Sequence, residues 1–137
     1  MGQIRDVMEK KIVTIEKDQT IFQAAQLMKE NDISFLVIIE NDKPIGVLSE
    51  RDFVQKFCTS NKKPDEIKIS EIMSYKFRWV EPNTEIEAAV QKMLNNNIRR
   101  LLILDDKKLV GVITQTDLVS YLRDKLLVDE TVNNIQK

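Results

Sequence analysis

The chain contains its own sequence twice. Displaced by 65 positions, residues 4–57 align with residues 69–122 without a gap, and roughly a third of the paired residues are identical. The identities include Met8/Met73, Glu16/Glu81, Ile21/Ile86, Ala24/Ala89, Met28/Met93, Ile33/Ile98, Leu36/Leu101, Gly46/Gly111, Val47/Val112 and Asp52/Asp117. They fall on polar and apolar positions alike, so they mark a duplicated structural unit rather than a shared composition. A chain of 137 residues has room for one domain or two half-size units sharing a core, and is too short for a multidomain enzyme. With 42% hydrophobic and 31% charged residues, it can bury about two-thirds of its unfolded surface.

Within each copy the apolar period changes along the chain, which places the local elements. Ile12–Ile15 and their counterparts Phe77–Val80 read as short strands. Thr20–Gln23 and Thr84–Glu87 have the spacing of capping boxes, followed by apolar residues at helical intervals: Ile21, Ala24, Ala25, Met28 and Ile86, Ala89, Val90, Met93. The continuous runs Phe35–Ile39 and Leu101–Leu104 fit strands buried on both faces. The polar turns Glu40–Pro44 and Asp105–Lys108 lead to the second hairpin arms, Ile45–Leu48 and Val110–Ile113. Ser49–Phe57 and Thr114–Leu122 read as a second helix, so each unit is β-α-β-β-α and the fold class is α/β.

The boundaries expected are residues 1–60 for the first repeat, 61–68 for the linker, 69–122 for the second repeat and 123–137 for a helical extension. The polar stretch Cys58–Lys68, with Pro64, is too short to tether independent domains, so the two units are expected to pack together. In the extension Leu126, Leu127, Val132 and Ile135 offer apolar positions to a surface or another chain.

Composition removes several kinds of chemistry. There is no histidine and a single cysteine, Cys58, so His-based nucleophile sets and thiolate or imidazole zinc sites are excluded, as is an internal disulfide. A net charge of −1 provides no overall field toward nucleic acid or an anionic membrane. The charged start does not resemble a signal peptide, and no apolar run approaches the roughly 20 residues of a membrane span. A cytoplasmic location is the expectation.

The recurring Gly-x-x-[Ser/Thr]-x-x-Asp is the sharpest chemical feature. A carboxylate in a helix's first turn, just past the carboxyl end of a strand, faces the crevice where open α/β structures bind ligands. Its two oxygens can accept both hydroxyls of a ribose, and Ser49 or Thr114 stands where free backbone N–H groups attract anions. Gly46 and Gly111 leave room for backbone or ligand to approach closely. The same spacing also describes a capping box, in which Asp52 and Asp117 simply start their helices, although Glu or Gln is the usual partner there.

With Gly46-Val47-Leu48-Ser49-Glu50-Arg51-Asp52 repeated as Gly111-Val112-Ile113-Thr114-Gln115-Thr116-Asp117, the chain resembles a tandem pair of CBS domains, named from cystathionine β-synthase. The likeness runs from Ile4 to Leu122. It implies two repeats packed sheet to sheet about a pseudo-twofold, with AMP, ADP, ATP or S-adenosylmethionine in clefts drawing on both. Carried onto this sequence, one cleft joins Ser49, Arg51 and Asp52 to Phe77, Arg78, Ile98, Arg99 and Arg100. The other joins Thr114, Thr116 and Asp117 to Ile12, Val13, Ile33, Ser34 and Phe35. Arginine binds phosphate through a planar fork of donors, so the first cleft suits a di- or triphosphate. The second suits a monophosphate, a neutral adenosine derivative or nothing.

The resemblance further implies a regulatory, non-catalytic homodimer that signals to a separate protein effector. The competing reading is an interaction scaffold with vestigial clefts. No complete catalytic set, metal cluster or basic recognition helix supports an enzyme or a nucleic-acid binder. Met8, Met28, Met73, Met93, Phe53, Phe57 and Leu118 are expected in the core, as is Trp79, and Cys58 has no assigned role.

Overall fold

The computed structural model describes residues 2–136, and side chains for residues 2–126. The side chains of Leu127, Val132 and Ile135 therefore lie outside the described residues. Two three-stranded sheets form, and the chain divides into two compact units. The first unit is Lys11–Phe77 with Asp106–Leu109; the second comprises residues 2–10, Arg78–Asp105 and 110–136.

In the first unit, strand β1 (Thr14–Glu16) leads through helix α1 (Ile21–Asn31) to the central strand β2 (Phe35–Glu40), which pairs parallel to β1. A crossover helix is what a parallel pair requires. Thr20 starts α1 through the expected capping box: its Oγ1 accepts the Gln23 N–H at 3.2 Å, and Gln23 Oε1 accepts the Thr20 N–H at 2.9 Å. Asp32 ends the helix in the left-handed region at φ 51°, where a short polar side chain is tolerated, and Ile33 N–H closes the last turn on the Met28 carbonyl at 3.1 Å. Asn41 and Asp42, both at positive φ, form a two-residue turn into the antiparallel strand β3 (Lys43–Ser49). This arm begins two residues earlier than the sequence suggests. Pro44 is accommodated because β3 is an edge strand with a register shift opposite Ile38 and Ile39.

The helix expected over Ser49–Phe57 is not uniform. Helix α2 covers Glu50–Asp52, and Phe53–Phe57 then widens into a π turn, with Cys58 N–H bonded to the Phe53 carbonyl at 2.9 Å. After helix α3 (Ile69–Ile72), the order repeats with β4 (Trp79–Val80), α4 (Ile86–Asn96), β5 (Arg100–Asp105), β6 (Lys108–Thr114) and α5 (Gln115–Gln136). The β-α-β-β-α order and the α/β class are thus present twice. Helix α5 runs without a break through the stretch read as a separate extension. Strands β1 and β4 start at Thr14 and Trp79, two residues later than read from the sequence; Ile12, Val13, Phe77 and Arg78 precede the ladders.

Each sheet carries its own core. Ile15, Ile21, Ala24, Met28, Leu36, Ile38 and Leu48 gather with Ile67, Ile69, Ile72 and Met73 in the first unit. Ile4, Val80, Ile86, Ala89, Met93, Leu101, Ile103, Ile113 and Leu118 do so in the second. Phe53, Phe57 and Met8 are partly buried against these clusters, whereas Ala25 is exposed. Trp79 is also not in the core: it is 45% exposed, because strand alternation turns Val80 inward and Trp79 outward. The Thr84–Glu87 box does not start α4 either. Glu85 is the N-cap, with no capping hydrogen bond from its side chain.

The units exchange their leading segments relative to the sequence repeats. Residues 2–9 dock in the second unit: Ile4 N–H bonds the Thr84 carbonyl at 2.8 Å, and Glu9 pairs with Val112 on β6. Correspondingly, Ile69 N–H bonds the Gln19 carbonyl at 2.8 Å, and Ser74 pairs with Val47 on β3. The two glycines make room for this docking. A β-carbon on Gly46 would stand 2.7 Å from the Ser74 carbonyl oxygen, and one on Gly111 would stand 2.6 Å from Met8 Sδ. Close approach was expected at these glycines, and the approaching groups are the leading segments.

Candidate ligand-binding site

Both copies of the Ser/Thr-x-x-Asp motif sit where an edge strand passes into a helix, and both form capping boxes. Asp52 Oδ2 accepts the Ser49 N–H at 2.9 Å and the Ser49 hydroxyl at 3.2 Å, while Asp52 N–H donates to Ser49 Oγ at 3.4 Å. Asp117 Oδ2 accepts the Thr114 N–H at 3.0 Å, and Asp117 N–H donates to Thr114 Oγ1 at 3.1 Å. Helix initiation is therefore one role of these residues. It engages one carboxylate oxygen in each box and leaves the other to its surroundings.

Those surroundings differ. Asp52 Oδ1 is held by Lys56 Nζ at 3.1 Å, with the Asp52 side chain only 13% exposed. The same ammonium donates to the Ile72 carbonyl at 3.1 Å. Position 121, which corresponds to Lys56, is Tyr, and Asp117 Oδ1 has no hydrogen-bond or ion-pair partner among the described residues. Lys56 was not singled out from sequence, although a carboxylate followed four residues later by a lysine is a readable helical pair.

The neighbours at each motif also differ. In the first unit Glu50 N–H bonds the Ser34 carbonyl at 3.0 Å, and Phe35 pairs with Ser49 in the ladder. Ile33, Ser34 and Phe35, which are half-buried, thus stand beside Ser49 and Asp52. Ile12 and Val13 lead into β1 at this end, and Val37 N–H reaches the Val13 carbonyl at 3.5 Å. Arg51 is exposed on α2, and Phe77 belongs to this unit.

In the second unit the equivalent bond joins Gln115 N–H to the Arg99 carbonyl at 2.8 Å, and Leu102 N–H bonds the Arg78 carbonyl at 3.0 Å. Since β4 runs parallel to β5, Arg78, Ile98, Arg99 and Arg100 gather at the sheet end where α5 begins with Thr114, Thr116 and Asp117. Arg78 and Arg99 are exposed and Arg100 is half-buried. Three guanidinium groups thus share a unit with Thr114 and Asp117, whereas Arg51 is the one arginine in the unit that holds Ser49 and Asp52.

A depression of about 440 Å³ in the first unit offers a contrast. It is lined by Glu16, Lys17, Asp18, Ile39, Glu40, Asn41 and Asp42, an acidic wall that repels phosphate. There Lys17 Nζ lies 3.0 Å from Glu40 Oε2, and this hydrogen bond and charge raise the Lys17 pKa above 10.5. Among the described residues no cluster of three or more His, Cys, Asp or Glu could hold a metal ion, and no helix is long and apolar enough to cross a membrane.

Two α/β units, each with a parallel β-α-β element, a tight hairpin and a carboxylate-capped helix, define a class of tandem-repeat module. The sequence profile of the CBS domain matches residues 4–58 and again 69–124, and the chain belongs to that family as a tandem pair. It is 37% identical over 118 residues to the uncharacterized protein MK0525 of Methanopyrus kandleri, covering 85% of this chain and 60% of that one. Its fold matches the crystal structure of the CBS domain protein NE2398 with a TM-score of 0.83 at 28% identity, over 89% of this chain and 98% of the other. The CBS domain pair of MJ0100, crystallised with 5′-methylthioadenosine and S-adenosyl-L-methionine, shares the fold with a TM-score of 0.82 at 24% identity, over 91% and 98% of the two chains. CBS-domain pairs are regulatory modules and are generally not catalytic.

Proposed function

We propose that this CBS pair binds an adenosine-bearing ligand, AMP, ADP, ATP or S-adenosylmethionine, and reports its occupancy to a separate protein effector as a cytoplasmic homodimer. The observation carrying this reading is Asp117: its box leaves Oδ1 free to accept a ribose hydroxyl. Phosphate oxygens suit the guanidinium forks of Arg78, Arg99 and Arg100, so a di- or triphosphate is the preferred ligand of the set that holds those three. Ser49, Arg51, Asp52, Phe77 and Ile98 complete the set that the sequence joins to the arginines. Thr114, Thr116, Ile12, Val13, Ile33, Ser34 and Phe35 belong to the set joined to Asp117. Occupancy regulates a partner only through different affinities for two arrangements of the protein.

Calorimetric titration tests this. ATP is expected to bind, and replacing both Arg99 and Arg100 by Ala should weaken ATP about tenfold or more while adenosine changes by less than about threefold. Equal weakening of both ligands rejects the phosphate role. The scaffold reading is favoured by the formation of both capping boxes, which explains the two carboxylates without a ligand. It wins if none of the four ligands at millimolar concentration gives heat or raises the melting temperature.

A further inference from the structure

The two carboxylates are not equally available, and the difference lies in one side chain. Asp52 has both oxygens engaged: Oδ2 by the Ser49 amide and hydroxyl, Oδ1 by Lys56. Lys56 is itself fixed at a second point, the carbonyl of Ile72 at the end of α3, so it spans from the motif to the leading segment docked in the same unit. Asp117 has Tyr121 at the matching place and an open Oδ1.

Resting on the proposed ribose role of these carboxylates, we propose that Lys56 is a built-in competitor for Asp52, so that Asp117 is the ready binding site and Asp52 binds only when the Lys56 ammonium is displaced. A ribose hydroxyl offers a neutral donor, whereas Lys56 offers a cation, and a charge-assisted bond is the stronger of the two. Oδ1 keeps a second lone pair, but the Asp52 side chain is only 13% exposed with Lys56 on it, so a ligand hydroxyl reaching Oδ1 displaces the ammonium and with it frees the Ile72 carbonyl. Lys56 is 45% exposed, so solvent screens the pair and displacement is a modest cost. The first motif is thereby set to answer at higher ligand concentration than the second.

The test is calorimetry with ATP and adenosine on the full chain and five variants. Wild type is expected to bind one equivalent tightly, with that event lost in D117N and retained in D52N. K56M should strengthen a second event about five- to tenfold, and D52N added to K56M should abolish it. K56R keeps the cation and should behave as wild type. Thermal melting of each variant separates a lost site from a lost fold. Tight binding through Asp117 with no change at the second event in K56M overturns the competitor role alone. Absence of binding in both wild type and K56M, or binding that survives both D52N and D117N, overturns the ribose role and this inference with it.

Discussion

The two units share a frame down to individual hydrogen bonds. Ile69 docks on Gln19 as Ile4 docks on Thr84, and Glu50 reaches Ser34 as Gln115 reaches Arg99. They part company where Lys56 faces Tyr121, where Val13, Ser34 and Phe35 face Arg78, Arg99 and Arg100, and where a π turn faces a 22-residue helix. Of these, Val13, Phe53, Phe57 and Tyr121 are partly buried against a cluster and Leu118 of α5 belongs to one, whereas Lys56, Ser34, Arg78, Arg99 and Arg100 lie outside both. Duplication has preserved what closes each sheet, and the sheet ends have been free to diverge in charge.

The comparison breaks first at the central strands. Leu36 and Leu101 are both fully buried at equivalent positions, so L36A and L101A should each cost about 3–4 kcal/mol and agree to within about 1 kcal/mol in urea denaturation. A much larger gap would mean that the two cores are not equivalent. The glycines should separate the units next. A β-carbon on Gly46 runs into the backbone carbonyl of Ser74, which accepts the Val47 N–H at 2.9 Å while Ser74 N–H donates to the Val47 carbonyl at 2.9 Å, and G46A is expected to cost about 3 kcal/mol. On Gly111 the nearest obstacle is the flexible Met8 side chain, so G111A should cost about 1 kcal/mol. Reversal of that order would show that Met8 cannot move aside.

Helix starts give a smaller contrast. T20A removes a formed cap and should lose about 1 kcal/mol, whereas E85A, which removes no capping bond, should change stability by less than about 0.3 kcal/mol. The smallest effect lies at Lys17 and Glu40, since Pro82 replaces the lysine in the second unit. Because folding raises the Lys17 pKa, the pair's contribution is complete below pH 10.5 and fades as the pH climbs through the raised value. E40Q should therefore lower the melting temperature by about 1 °C or less at neutral pH, with the difference from wild type vanishing in strong alkali.

Much of this architecture was legible because burial leaves periodic marks. The runs Phe35–Ile39 and Leu101–Leu104, the Thr20 box and the spacing of Ile21, Ala24 and Met28 each follow from one buried stripe or one satisfied amide. The exchange of leading segments left no such mark. Met8 and Met73 are identical, as are Gly46 and Gly111, so the sequence admits either pairing and only the fold assigns Met73 to Gly46 and Met8 to Gly111. The Thr84 box misled because spacing alone cannot show where a helix begins, and the repeat register already aligned Glu85 with the Thr20 cap. Trp79 is an aromatic expected in the core, but alternation with inward Val80 decides its side of the strand. At the site, the motif announced both carboxylates, but their unequal availability depends on a contact four residues away and on a carbonyl in α3.

The docking of Glu9 on Val112 bears on how the protein is made. Val47 meets Ser74 after only about 25 further residues have emerged from the ribosome, whereas Glu9 waits for roughly a hundred. At translation rates of about 5–20 residues per second, the earlier segment drifts undocked for on the order of 5–20 s, carrying the apolar Ile4, Val7 and Met8 in water. During that interval those three side chains have no part of the finished fold in which to bury.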